Sequence, residues 1–142
     1  MNEAGGWDFE DLEIGTTASF SKTVTDADIV LYAGVSGDTN PVHLDQDYAS
    51  KTMFKSRIAH GMLTASFLSA VLGARMPGPG AIYLSQSLRF RAPVRIGDTV
   101  RATATVTALD AKRRRATLET KCTVAGAVVV DGEAVVMLPA SS

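Results

Sequence analysis

The pattern of apolar and polar residues changes near residue 80, from helical spacing before it to strand-like alternation after it. The longest apolar stretch, GMLTASFLSAVLGAR, lies within residues 60–75 and has small residues spread through it. A helix that is apolar on most sides is typically buried and surrounded by other parts of the chain. We therefore expect residues 60–75 to form the central helix of the fold.

Shorter elements are predicted before this helix. They are a strand over 17–24, a helix over 26–36 and a short helix over 46–51. Thr25 and Asp28 have the spacing of a capping box for the second of these elements. Asn40-Pro41 disfavours helical geometry at Asn40, so we expect the chain to run extended through residues 42–44.

After residue 80 the period of the pattern changes to two, which is typical of strands. The predicted strands cover residues 81–90, 99–109, 115–124 and 127–138. In the second strand the alternation puts the apolar residues on one face, namely Val100, Ala102, Ala104 and Val106. Because the connections are short, we expect successive strands to pair antiparallel. An antiparallel sheet wrapped round one long buried helix is an α+β fold.

Composition limits the possible functions. With 142 residues, 46% of them hydrophobic, the chain suits one domain over residues 1–142 with one core. Lys and Arg number 14 against 15 Asp and Glu, so we expect neither nucleic acid nor a membrane as a partner. The single cysteine, Cys122, cannot form an intramolecular disulfide, which fits the cytoplasm. The acidic N-terminus and the polar residues within 58–74 predict neither a secretory signal nor a membrane span.

Both histidines of the chain lie in two short stretches, GDTNPVHL at 37–44 and IAHGML at 58–63. An Asp, an Asn-Pro and a His at this spacing, followed by His-Gly before an apolar helix, resemble the MaoC-like hydratases. The resemblance covers nearly the whole chain and is strongest to the (R)-specific enoyl-CoA hydratases of polyhydroxyalkanoate synthesis. It implies a hotdog fold, a curled antiparallel sheet wrapped around a long central helix. It also implies a homodimer that hydrates trans-2-enoyl-CoA, an acyl-CoA thioester, to (R)-3-hydroxyacyl-CoA without a metal or redox cofactor.

This hydration needs a nucleophilic oxygen at the β-carbon, a proton at the α-carbon and stabilisation of the charge on the thioester oxygen. The resemblance implies that Asp38 and His43 are the catalytic pair, which holds and deprotonates the water. Gly61 resembles the family glycine whose N–H receives the thioester oxygen at a helix N-terminus. Asn40 is expected to fix the loop by side-chain hydrogen bonds, and Ser69 matches the family serine that lines the catalytic pocket.

Simpler roles are open for several of these residues. Asp38 suits a turn in which it satisfies its own backbone, and Ser69 suits packing on an apolar helix. The match to the family implies that His60 shapes the loop before the helix. A metal site would use two histidines and two carboxylates, but their intervals match no recognised ligand spacing. Its members would be Asp38, His43, Asp45 and His60.

Two further sets of residues also have more than one explanation. KRRR at 112–115 is a solvated turn, or it attracts the phosphates of coenzyme A, as could Arg89, Arg91 and Arg95. Six apolar residues around the central helix belong to the core or line an acyl tunnel. They are Met53, Phe54, Met62, Leu63, Phe67 and Leu68.

Three other functions compete with the hydratase. A thioesterase of the same fold would use a carboxylate to drive water onto the carbonyl carbon, without the Asp, Asn-Pro, His segment. An acyl-carrier-protein 3-hydroxyacyl dehydratase would have a basic patch at the tunnel mouth. A non-catalytic acyl-CoA-binding or dimerisation module would be expected to lose Asp38 or His43, and both are present. The sequence therefore favours an (R)-specific enoyl-CoA hydratase, a hydro-lyase.

Overall fold

The computed structural model describes residues 1–140. In chain order the helices are a 3-10 turn at Phe9–Asp11, α1 (Asp26–Ser36), α2 (Pro41–Leu44), α3 (Gln46–Ser50) and α4 (Gly61–Ala74). The strands are β1 (Thr17–Thr23), β2 (Ile82–Gln86), β3 (Arg89–Phe90), β4 (Thr99–Asp110), β5 (Arg115–Val124) and β6 (Ala127–Met137). The helices predicted at 26–36, 46–51 and 60–75 and the strand at 17–24 are confirmed to within one residue at each end.

Helix α1 begins and ends where the local signals predict. The Thr25 hydroxyl accepts the Asp28 N–H, and the Asp28 carboxylate accepts the Thr25 N–H. Gly37 ends the helix in the left-handed region at φ 81°, which glycine adopts without steric cost. The end of α1 therefore places Asp38 at the start of the loop that leads to α2.

The sequence predicts an extended chain after Asn40, but residues 41–44 form the short helix α2. Asn40 itself is non-helical, as expected before proline, and its side-chain oxygen accepts the Val42 N–H at 3.1 Å. Pro41 occupies the first helical position, where its missing N–H is not needed and its fixed φ suits the helix. The prediction of an extended chain at residues 42–44 is wrong, because a proline disfavours helical geometry at the residue before it but can itself be the first residue of a helix.

The strands form one antiparallel sheet in the order β1-β4-β5-β6-β2, and β3 also pairs with β6. The antiparallel pairs β4-β5 and β5-β6 are as predicted. The strand predicted over 81–90 is instead divided into β2 and β3, and both lie beside β6 rather than β4. The expected pairing of this segment with residues 99–109 is therefore wrong. The connection between them passes two strands, a feature that local alternation does not encode.

Helix α4 packs against one face of the sheet and buries it, while the other face of the sheet stays exposed. It contacts β1, β4, β5 and β6, and Leu68 and Val71 are almost fully buried. The apolar face predicted for β4 is likewise buried. The predicted α+β arrangement of an antiparallel sheet around a central helix is confirmed. Across residues 1–140, none of the helices combines the length and the apolar character needed to cross a membrane.

Candidate active site

The loop after α1 and the start of α4 meet at a cavity of about 520 Å³. Asp38 lines it from the loop, and His60 and Gly61 line it from the start of α4. The apolar part of its lining includes Met53, Phe54, Ile58, Met62, Phe90 and Val130. Of the residues predicted as tunnel or core, Met53, Phe54 and Met62 therefore line the cavity, whereas Leu63, Phe67 and Leu68 belong to the core.

Asp38, His43 and His60 come together beside this cavity. One carboxylate oxygen or ring nitrogen from each residue lies within 4.8 Å of the others. The turn of helix from Pro41 brings His43 back towards the loop that carries Asp38. The structure thus brings the two predicted catalytic side chains into one cluster, although an unexpected helix joins them.

His43 is buried, and one hydrogen bond fixes which ring nitrogen carries the proton. Its Nδ1 lies 2.8 Å from the Ile58 carbonyl oxygen. Because a carbonyl only accepts, Nδ1 must donate, which leaves a lone pair on Nε2 in the neutral ring. Burial lowers the pKa of His43 below its ordinary 6.5, the Ile58 bond raises it, His60 lowers it and Asp38 raises it. At neutral pH His43 is therefore a neutral imidazole whose Nε2 can accept a proton.

The Asp38 carboxylate is exposed and is held by the loop backbone. Its Oδ1 accepts the Asn40 N–H at 3.2 Å. The turn role considered for this residue is therefore present, together with a position on the cavity wall. A carboxylate has about four acceptor positions, so Asp38 retains capacity to bind a water beside His43. Asn40 orders the same loop, because its side chain caps α2.

Gly61 is the first residue of α4, so its N–H has no acceptor within the helix. The helix dipole also favours negative charge at this end. A Cβ at Gly61 would lie 2.6 Å from the Phe90 ring, so only glycine permits this close approach. The predicted placement of Gly61 at a helix N-terminus is confirmed. The contact with Phe90 has no signal in the sequence, because the alternating pattern around Phe90 indicates only a strand.

Ser69 lies apart from this cluster. It is exposed on α4, about two turns beyond Gly61, and it is not among the residues that line the cavity. Within a single chain, Ser69 therefore does not lie beside Asp38 and His43. Its role as a pocket residue stays a prediction.

Arg57, which has no signal in the sequence, supports the segment that contains His43. Its Nε donates to the His43 carbonyl at 2.7 Å, and its Nη2 donates to the Asp26 carboxylate at 2.6 Å. Arg57 thereby ties α2 to the start of α1. An arginine in an irregular segment carries no local pattern that distinguishes this role from simple solvation.

Three of the four residues considered as a metal site come together, and Asp45 does not join them. The Asp45 carboxylate instead accepts the N–H groups of Asp47 and Tyr48 and caps α3. In His43 and His60 one ring nitrogen is bound to a backbone carbonyl. Only the other nitrogen of each ring, with the Asp38 carboxylate, would be available to hold an ion.

Among the basic residues considered for coenzyme A, Arg91 lies at the cavity. It lines the wall and pairs with Asp131, with Nε 3.2 Å from the carboxylate. Arg95 instead donates to the Phe54 carbonyl at 2.7 Å, and Arg114 of the KRRR turn pairs with Glu10. Arg95 and Arg114 are thus engaged in contacts that stabilise the fold.

Known proteins with similar sequences and structures agree on one family. Residues 10–128, which include Asp38, His43 and Gly61, match the family described as MaoC like domain. The chain is 62% identical to the (R)-specific enoyl-CoA hydratase of Rhodospirillum rubrum over 93% of this chain and 92% of that protein. It is 53% identical to the 3-hydroxybutyryl-CoA dehydratase of Methylorubrum extorquens over 92% of this chain and 83% of that protein. The solved structure of the (R)-hydratase from A. caviae involved in PHA biosynthesis matches with a TM-score of 0.89 at 47% identity, over 92% of this chain and 99% of that one.

Proposed function

The chain belongs to the MaoC-like domain family, and from that premise we propose that Asp38 and His43 activate the water in its hydratase site. The protein is an (R)-specific enoyl-CoA hydratase on a hotdog fold. As a hydro-lyase it adds water to trans-2-enoyl-CoA and gives (R)-3-hydroxyacyl-CoA. The observation that carries the proposed roles is the free Nε2 of His43 beside the Asp38 carboxylate, next to an apolar cavity.

In the proposed mechanism one water is held between the Asp38 carboxylate and His43 Nε2. The pair removes a proton from this water while its oxygen forms a bond to the β-carbon of the enoyl group. The same pair delivers a proton to the α-carbon, so that one water is added across the double bond. General acid–base help of this kind contributes about 10²- to 10⁴-fold to a rate.

The thioester oxygen gains negative charge during this addition, and we propose that the Gly61 N–H receives it. Support comes from the position of Gly61 at the first turn of α4 and on the cavity wall. One preorganised donor of this kind is worth about 10²- to 10³-fold in rate. Asn40 holds the loop that carries Asp38, and Ser69 is retained as a proposed substrate contact.

The first experiment is to mix the purified protein with crotonyl-CoA, follow the ultraviolet absorbance of the conjugated enoyl thioester, and analyse the product chirally. We expect the absorbance to fall and only (R)-3-hydroxybutyryl-CoA to form. Release of free thiol with the double bond intact would instead identify a thioesterase. If neither signal changes with crotonyl-CoA, with longer enoyl-CoA esters or with enoyl thioesters of an acyl carrier protein, the hydratase assignment is wrong.

We propose that the protein is a homodimer that pairs through the outer edge of β2. Strand β2 ends the sheet, and its Ile82, Tyr83 and Leu84 are each at least 40% exposed in the single chain. A sheet edge with three consecutive exposed apolar residues favours pairing with another chain. A second copy would cover this edge.

Leu84→Lys is expected to shift the protein from dimer towards monomer, because it places a charge in the proposed apolar interface. The measurement is sedimentation velocity of the wild type and the variant at equal concentrations. The control is Ile14→Lys, since Ile14 is also an exposed apolar residue, at 69%, but lies outside the sheet. A Leu84→Lys variant with the mass of the wild type would rule out this edge as the interface.

Domain extent, location and pathway are also proposals. One hydrophobic cluster includes both Phe9 and Leu138, which supports a single MaoC-like domain over residues 1–142. The cytoplasm is supported by the single cysteine, Cys122, because a chain with one cysteine cannot form an intramolecular disulfide. The similarity to the (R)-hydratase from A. caviae involved in PHA biosynthesis supports a role in polyhydroxyalkanoate synthesis. Acyl-CoA is the proposed substrate, and neither nucleic acid nor a membrane is a proposed partner.

A further inference from the structure

His60 contacts both members of the proposed catalytic pair. Its Nε2 lies 2.9 Å from the Asp38 carbonyl oxygen. Its ring stacks on the His43 ring with the centroids 3.8 Å apart and the planes at 28°. It is also the residue that precedes Gly61 at the start of α4. One side chain therefore joins the loop, the buried imidazole and the helix terminus that make up the site.

The hydrogen bond to Asp38 fixes the tautomer of the His60 ring. Because the Asp38 carbonyl only accepts, Nε2 carries the proton and Nδ1 holds a lone pair. The Nδ1 atom is buried and has no hydrogen-bond partner among the described residues. An unpaired buried polar atom lowers stability, and a phenylalanine would fill much of the same space without it. A histidine kept at this cost points to a use for the ring beyond packing.

The surroundings of His43 explain what that use is. Asp38 and His60 are the titratable side chains that face its ring, Arg57 donates to its carbonyl, and Tyr32 contacts the His60 ring at 4.7 Å between centroids. The stacked ring of His60 excludes water from one face of His43. Loss of water disfavours the charged form of an imidazole, and burial is the main reason that the pKa of His43 is low.

We propose that His60 is a positioning residue that serves both members of the pair: its N–H anchors the Asp38 backbone, and its ring keeps His43 dry and oriented. This inference rests on the proposed roles of Asp38 and His43. The two functions belong to different parts of the side chain, namely the Nε2–H group and the flat ring. Substitutions can therefore remove them separately.

Three variants separate the two functions. His60→Phe keeps a flat ring and loses the N–H donor, His60→Gln keeps an N–H donor and loses the ring, and His60→Ala loses both. Tyr32→Phe is the matched control, because it keeps the ring that contacts His60 and should leave kcat and the pH profile unchanged. The readouts are kcat, KM and the pH dependence of kcat/KM with crotonyl-CoA.

In the wild type, activity should fall as pH drops through the pKa of His43, which lies below 6.5. His60→Phe should move this acid limb only slightly to higher pH, because it loses the electrostatic effect of His60 on His43 but keeps the stacked ring. It should lower kcat about tenfold, the effect of one lost hydrogen bond, with KM little changed. His60→Gln and His60→Ala should move the acid limb to higher pH, towards 6.5, because water reaches the exposed face of His43. His60→Gln should recover much of the kcat that His60→Ala loses.

A second readout does not depend on catalysis. The chain has two histidines, so each His60 variant leaves His43 as the only one, and its ring can be titrated directly by NMR. We expect the His43 pKa to be raised clearly in His60→Gln and His60→Ala, which expose the ring face, and least in His60→Phe, which loses only the electrostatic effect of His60. If folded variants keep the wild-type kcat and the wild-type His43 titration, His60 only packs and the inference is wrong. If the wild type does not hydrate enoyl-CoA but the titration shifts as expected, the proposed function fails while the contact of His60 with His43 stands.

Discussion

Replacing His43 with glutamine is expected to lower kcat for crotonyl-CoA by about 10²- to 10⁴-fold, the range that general acid–base groups contribute. The reason is the lone pair on Nε2, which the bond from Nδ1 to the Ile58 carbonyl leaves free. A glutamine amide can still donate to that carbonyl, but it has no basic atom to take a proton from water. KM should change little, because the enoyl group is held by the cavity rather than by the imidazole.

The fold of the His43→Gln variant must be shown to survive. Far-ultraviolet circular dichroism and urea unfolding should resemble those of the wild type, since the backbone of α2 is held by Arg57 and by the Asn40 cap. In the proposed mechanism, the small remaining activity should also lose the acid limb that the wild type shows, because the titrating group is gone. A folded variant with near wild-type kcat would remove His43 from the mechanism.

Local patterns predict the elements of this fold with good accuracy where one signal acts without competition. Strand β5 occupies residues 115–124, as its alternation predicts, and α1 lies between its capping box and a glycine that adopts φ 81°. In these segments side-chain periodicity and backbone preference agree. Residues 42–44 differ from their prediction because Pro41 has two opposite effects. It disfavours helical geometry at Asn40, and it favours the start of the helix that follows.

The order of strands is not available from the same signals. Residues 81–90 alternate as a strand should, but the alternation does not show that they pair with β6 rather than with the next strand in sequence. The pairing depends on the connection over residues 91–98, which passes two strands of the sheet before β4 begins. Non-local contacts of this kind are decided by how all strands close around α4, not by any one of them.

For the site, the motif indicates Asp38, His43 and Gly61, whereas their support is visible only in the structure. Arg57 and the Phe90 ring act through contacts between segments that are distant in sequence. His60 is expected from the motif to shape a loop, but its stack on His43 has no signal in the sequence. Sequence spacing thus identifies residues that carry chemistry better than residues that hold them in place.

Asp38→Asn is expected to lower kcat by about 10²- to 10⁴-fold, because an amide neither binds water as a charged acceptor nor supports proton transfer. The asparagine oxygen can still accept the Asn40 N–H, so the loop should keep its geometry. The matched control is Asp47→Asn, which removes the same charge from an exposed residue of α3 that pairs with Lys51 and does not line the cavity. It should keep wild-type kcat, and an equal loss in both variants would show that net charge, not the Asp38 carboxylate, is responsible.

The two substitutions together test whether Asp38 and His43 share one water. Residues that act as a unit are not additive, since removal of either one already disables the step. We therefore expect the double variant, Asp38→Asn with His43→Gln, to have a kcat within about tenfold of the weaker single variant. Stopped assays of single and double variants at saturating crotonyl-CoA provide the comparison. Losses that multiply would mean that the two residues serve separate steps, with His43 and Asp38 each acting on its own proton.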